Sequence, residues 1–265
     1  MHICAPIRSP ARHALLAATL VGACASVLAN EGLERARARG ELVAGIQYVV
    51  PDYRGGTKFR TPEAIDTALL EDVARRVQLP LATERADAAK TDIALVAVPQ
   101  SNARQRAAGV IPTGYVAGPM AIMRSDTDIK AWAQLKGRKV CLSEGGRYAG
   151  TLADRYGALE QVYKAPADSL LALRTGACDA AVHDSTMLEH LVKLPEWKKF
   201  SARLPVGPRT ALAFVVPEGD RTSAAVLRRI AIAWASKGYL DQLVSKAVRQ
   251  IAFEVYLNQD VPDCH

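Results

Sequence analysis

Short apolar runs alternate with stretches of helical spacing along most of this chain, and few folds accommodate that alternation. Residues 42–47, 93–98, 120–123, 139–143, 161–164, 179–182 and 211–216 read as strands. Between the first two, Ile65, Leu69, Leu70, Val73, Ala74 and Val77 recur at helical spacing behind Pro62. Further helices are expected over 101–106, 126–135, 149–156, 168–175 and 224–240. Strands interleaved with short helices imply parallel sheets with crossover helices, the α/β class. No internal repeat or low-complexity tract breaks the pattern.

The N-terminus follows a different rule. Residues 1–13 carry Arg8, Arg12 and His13 without an acid, residues 14–25 are almost unbroken apolar, and Val27-Leu28-Ala29 suits cleavage before Asn30. Residues 1–29 therefore read as an export signal. The run is shorter than the roughly 20 residues a membrane span needs, so the mature chain is expected to be soluble. Val21-Gly22-Ala23-Cys24 offers a second outcome, lipid anchoring at Cys24, although Gly22 is an unusual residue in such a box.

Removal of the signal leaves 236 residues, enough for one large domain or two modest lobes. The signal takes two arginines with it and leaves +5 of the chain's +7 charge. That moderate excess suits solubility or an anionic ligand. No Lys/Arg run is interleaved with aromatics, so nucleic acid is not an expected partner. Cys141, Cys178 and Cys264 remain. In an oxidising compartment two of them can pair, and Cys141 and Cys178 can equally stay buried and reduced. No spacing suggests a metal or a cofactor.

Three segments stand in a telling order. They are residues 33–45, then Leu135-Lys136-Gly137-Arg138-Lys139-Val140, then Cys178-Asp179-Ala180-Ala181-Val182-His183-Asp184. In this order and spacing the chain resembles the bacterial periplasmic solute-binding proteins of the branch that captures amino acids for ABC transporters (extracellular solute-binding protein family 3). The resemblance implies a two-lobed α/β fold, each lobe a parallel-rich sheet flanked by helices. Lobe one would comprise residues 30–117 plus 207–265, and lobe two residues 118–206. It further implies a monomer in the periplasm that captures a small polar solute, an amino acid or related carboxylate, and delivers it to an inner-membrane ABC permease. Ligand would sit between the lobes at the carboxyl ends of the strands.

Carried over residue by residue, the resemblance points to Tyr53, Arg104, Gly145, Gly146, Arg147 and Asp184. Tyr53 matches an aromatic that stacks on the ligand, and Arg104 an arginine that clamps its carboxylate with two parallel hydrogen bonds. Asp184 matches an aspartate that holds an ammonium, and it can also cap the helix expected from Ser185. Gly145, Gly146 and Arg147 fill a loop whose free N–H groups at a helix N-terminus form an anion seat. Arg147 there could take an extra acidic group of the ligand. Together with Arg54, Lys58 and Arg60 it tilts the crevice toward an acidic solute.

Three departures stand out. Ala97 and Pro99 replace hydroxyl residues, and proline has no N–H to give. Gly146 and Arg147 stand where the family has hydroxyl residues. The connection at 80–90 is too short for the family's strand, helix and turns together, so lobe one is expected to be trimmed. No catalysis is expected. The alternatives are a periplasmic enzyme of the cyclohexadienyl dehydratase type, with Glu144 as its general acid, and an accessory protein that binds a partner through the tail at 249–265.

Overall fold

The apolar runs pair into two separate five-stranded mixed sheets. A computed structural model of the chain describes residues 31–47, 60–63, 65–86, 90–101 and 109–259. Residues 1–30, which include the expected export signal and Cys24, and Tyr53, Arg54, Lys58, Arg104 and Cys264 lie outside the described residues.

The first sheet has the order β2-β1-β3-β10-β4. Its strands are β1 (Leu42–Ile46), β2 (Leu81–Arg85), β3 (Ile93–Pro99), β4 (Val110–Ala117) and β10 (Thr210–Val215). β1 runs parallel to β2 and β3, while β10 returns from far along the chain and lies antiparallel between β3 and β4. The second sheet, β7-β6-β8-β5-β9, is local in sequence. It comprises β5 (Pro119–Met123), β6 (Lys139–Ser143), β7 (Leu159–Tyr163), β8 (Ala180–Asp184) and the short β9 (Ala202–Arg203). β6 is parallel to β7 and β8, and β5 is antiparallel to β8 and β9. The result is an α/β architecture of two lobes.

Seven α-helices are described: α1 (Gly32–Arg39), α2 (Asp66–Val77), α3 (Thr151–Tyr156), α4 (Pro166–Arg174), α5 (Ser185–Leu191), α6 (Arg221–Ser236) and α7 (Tyr239–Leu257). α2 buries Leu69, Leu70, Val73 and Ala74, the stripe read from the sequence. At roughly 25 cal/mol per Å², burying each such leucine stabilises by about 1.5–3 kcal/mol. Gly32 opens α1 hard against the chain, where an added Cβ would lie 2.0 Å from the Asp92 carbonyl oxygen. No described helix is long and apolar enough to cross a membrane.

Four expectations change on folding. Residues 126–135 form only a 3-10 turn, Trp132–Leu135. The Gln134 side chain accepts from the Lys130 and Ala131 N–H groups and Thr127 Oγ1 from Ile129, so local polar side chains hold a turn where periodicity suggested a helix. The segment before β3, not read as a strand from the sequence, forms β2. The single helix expected over 224–240 is two, because Gly238 adopts φ 60° and starts α7. The tail that could have been a final strand is helix. Val244, Val248, Ile251, Ala252 and Val255 are buried at a helical period, and α7 packs on α4 and α5 of the second sheet.

Cys141 on β6 and Cys178 before β8 are joined as a disulfide, with Cα atoms 5.8 Å apart. It closes a loop of 37 residues, which in the chain-entropy account stabilises by about 4 kcal/mol.

Candidate functional site

Polar side chains from both sheets meet at the carboxyl ends of β6 and β8, around Asp184. This residue ends β8 and precedes α5, yet its side chain makes no cap to that helix. One carboxylate oxygen accepts the Tyr148 hydroxyl at 2.5 Å. The other accepts the Tyr115 hydroxyl at 3.0 Å and the Arg147 guanidinium at 3.2 Å. Tyr115 comes from β4 of the first sheet, and Arg147 and Tyr148 from the loop after β6.

The other guanidinium arm of Arg147 donates to Asp66 at 3.1 Å, in the first turn of α2. One arginine thus spans two carboxylates, each 4–5% exposed, while its own side chain is 17% exposed. The Tyr115 ring lies beneath its Cζ at 5.9 Å.

The titration behaviour follows from that ratio. Burial pushes Asp184 above its ordinary 3.8, and neighbouring Glu63 adds to the rise, against the opposing pull of Arg147 and the two tyrosines. Burial likewise raises Asp66, with Arg147 opposing and Asp184 adding. Burial raises both tyrosines, helped by the Asp184 charge. Burial alone would lower Arg147, but Asp184 and Asp66 more than offset it and lift its pKa further.

Behind this cluster lies a strap. Arg60 donates to Asp168 in the first turn of α4, at 2.9 and 3.0 Å. The Thr61 N–H and hydroxyl donate to Glu254 of α7, the hydroxyl at 2.6 Å. Glu63 then enters the second sheet and accepts from Ser143 Oγ, from His183 Nδ1 at 2.7 Å and from the Asp184 N–H at 3.0 Å. Burial works to raise the Glu63 pKa, but His183, Ser143 and the Asp184 N–H outweigh it and hold it below the ordinary 4.5. His183 Nε2 lies 2.6 Å from Ser169 Oγ. This Ser–His–Glu chain has hydrolytic geometry, but His183 and Ser169 are both 0% exposed, so it serves as a structural tie.

The structure brings Gly145, Gly146, Arg147 and Asp184 together. Gly146 is packed so closely that an added Cβ would lie 3.0 Å from the Glu63 carboxylate. At the N-terminus of α3 the Glu160 carboxylate accepts the Gly150, Leu152 and Ala153 N–H groups, so those groups are already bound. Glu144 faces solvent and pairs with Lys164 at 2.6 Å, so it supplies no acid to the crevice. Of the basic residues expected near the site, the two that are described are both paired: Arg60 with Asp168, and Arg147 with Asp66 and Asp184.

Sequence reasoning missed Glu63, Asp66, Tyr115, Tyr148 and His183. For Tyr115 a signal existed, since Ile111, Thr113, Tyr115 and Ala117 alternate at a strand period and are all buried. Glu63 and His183 lie 120 residues apart, and nothing local announces their contact.

No family model matches the chain, and none of the curated proteins does. Solved structures do match its fold. A mutant of ArgBP from T. maritima superimposes with a TM-score of 0.54 at 20% identity, over 81% of this chain and 98% of that one. AbpA, an amino acid ABC transporter substrate-binding protein from Streptococcus pneumoniae bound to L-arginine, gives 0.54 at 15% identity, over 82% and 98%. The ancestral amino acid-binding protein AncCDT-1, a precursor of cyclohexadienyl dehydratase, gives 0.53 at 18%, over 82% and 99%. The fold is the two-lobed fold of these amino-acid-binding proteins.

Proposed function

We propose that this chain is a solute-binding protein that captures a small polar solute, an amino acid by preference, between its two lobes and presents it to an ABC permease. The observation that carries the reading is Asp184. It is a buried carboxylate at the carboxyl end of a strand, reached by side chains from both sheets. In this reading residues up to about 117 and from about 207 onward form one lobe, and those between form the other. Asp184 faces the solute's ammonium, Tyr53 and Arg104 its side chain and carboxylate, and Gly145 and Gly146 let the loop approach closely.

The matched amino-acid-binding structures support the class of ligand. Among the described residues, Asp66 and Asp184 together carry more negative charge than Arg147 offsets, which favours a solute that brings a cation. Export by residues 1–29 to the periplasm agrees with a disulfide, which persists in oxidising compartments. Glu144, the residue named as general acid for dehydratase chemistry, is paired with Lys164 instead.

Thermal unfolding of the chain lacking residues 1–29, against a library of amino acids and small carboxylates, tests the reading. A solute at 100 times its dissociation constant should add about 2.7 kcal/mol of stability, and Asp184→Ala should abolish the gain. A hit indifferent to Asp184→Ala would move the site elsewhere.

A further inference from the structure

The Arg147 guanidinium is held in the way a captured cation would be held. Two carboxylates grip it from opposite sides, Asp66 from the helix over the first sheet and Asp184 from the second sheet. A planar fork suits that bridge, since each arm can donate to a different carboxylate. An aromatic ring from the first sheet lies against it. Its loop is pressed into the crevice at Gly146, where an added Cβ would meet the Glu63 carboxylate at 3.0 Å. Arg147 is moreover the one guanidinium that these two carboxylates share among the described residues.

We propose that Arg147 is a tethered stand-in for a guanidinium-bearing solute, filling the cation seat between Asp66, Asp184 and the Tyr115 ring. This inference rests on the solute-binding reading of the crevice. While the arginine stays in place the two sheets are linked without any solute, and a free guanidinium must compete with a group whose local concentration the fold fixes. Tethering of that kind commonly changes an affinity by about 10²–10⁴-fold. The side chain is one loop residue between two glycines and Tyr148, so its removal vacates the seat while leaving every strand residue in place.

Calorimetric titration of wild type and Arg147→Ala with methylguanidinium tests this directly. The expected result is binding to Arg147→Ala at least about 100-fold tighter than to wild type, with recovery of the variant's melting temperature. Adding Asp184→Asn to Arg147→Ala should erase both. Should Arg147→Ala fail to fold, Arg147→Gln keeps the stem and removes the charge, and the same gain is expected of it. Equal methylguanidinium affinity in wild type and variant, or no binding to either variant, overturns the stand-in. A solute-library hit on wild type that Arg147→Ala destroys also overturns it, since Arg147 would then contact the solute, and solute binding itself would stand. Methylguanidinium binding to Arg147→Ala with silence from every amino acid on both proteins would keep the stand-in and sink the amino-acid reading.

Discussion

Asp72 and Asp184 are both carboxylates with little exposed surface, served by arginine, and the balance of charge around them differs. Asp72, on α2, has two arginines to itself, Arg75 and Arg76, and also accepts the Trp234 indole N–H of α6 at 2.6 Å. Asp184 shares the single Arg147 with Asp66. Burial raises the Asp72 pKa, but Trp234 and the two arginines outweigh it and leave it below 3.8. At Asp184 burial wins and the pKa rises. A carboxylate with surplus positive charge beside it is a finished joint between helices. One that is short of positive charge is poised to take more, which is the condition a cation-binding site requires.

The comparison can be broken by experiment. The largest expected effect is Arg147→Ala, which leaves two buried carboxylates without their cation and should cost about 3–5 kcal/mol in denaturant unfolding. A loss below about 1 kcal/mol would mean that Arg147 does not hold the crevice together.

The pH dependence should separate the two sites by sign. The stability contributed by Asp72 is present above its ordinary 3.8 and is lost as pH falls through its lowered folded value. Glu63 behaves likewise about its ordinary 4.5. For Asp184 and Asp66 the contribution is present below 3.8 and is lost as pH rises through their raised folded values. Urea midpoints from about pH 3 to pH 7 should therefore shift in slope in opposite directions for Asp72→Asn and Asp184→Asn. Slopes that change in the same direction would sink the contrast.

At a fixed neutral pH, Asp72→Asn should cost about 1 kcal/mol, because the amide oxygen still accepts from Trp234 and only the charge is lost. Smallest of all is Arg75→Ala. Its side chain is 69% exposed and Arg76 remains beside Asp72, so the expected loss is below about 0.5 kcal/mol.

Much of the fold was legible because burial imposes a period on each segment. The α2 stripe and the runs of β1, β3, β6, β8 and β10 carry that pattern within a few residues. Where local chemistry competes with period, the reading slipped. Gln134 and Thr127 turned an expected helix into a 3-10 turn, and Gly238 split one helix into two. The site was legible only in part. Asp184 and the loop at 145–147 were pointed to by a resemblance in the order of segments, whereas Asp66, a first-turn acid of α2, was not singled out.

The sequence by itself determined the α/β class and the segments that became α2, β1, β3, β6, β8 and β10, because each depends on neighbours a few residues apart. Only the tertiary structure decided how Arg147 is partnered. Read along the chain, Arg147 was one of several basic residues suited to an acidic solute. Folding instead sets Arg147 between Asp66, 81 residues away, and Asp184, 37 residues away. Electrostatic partnership depends on distance in space and on burial, and a linear chain records neither.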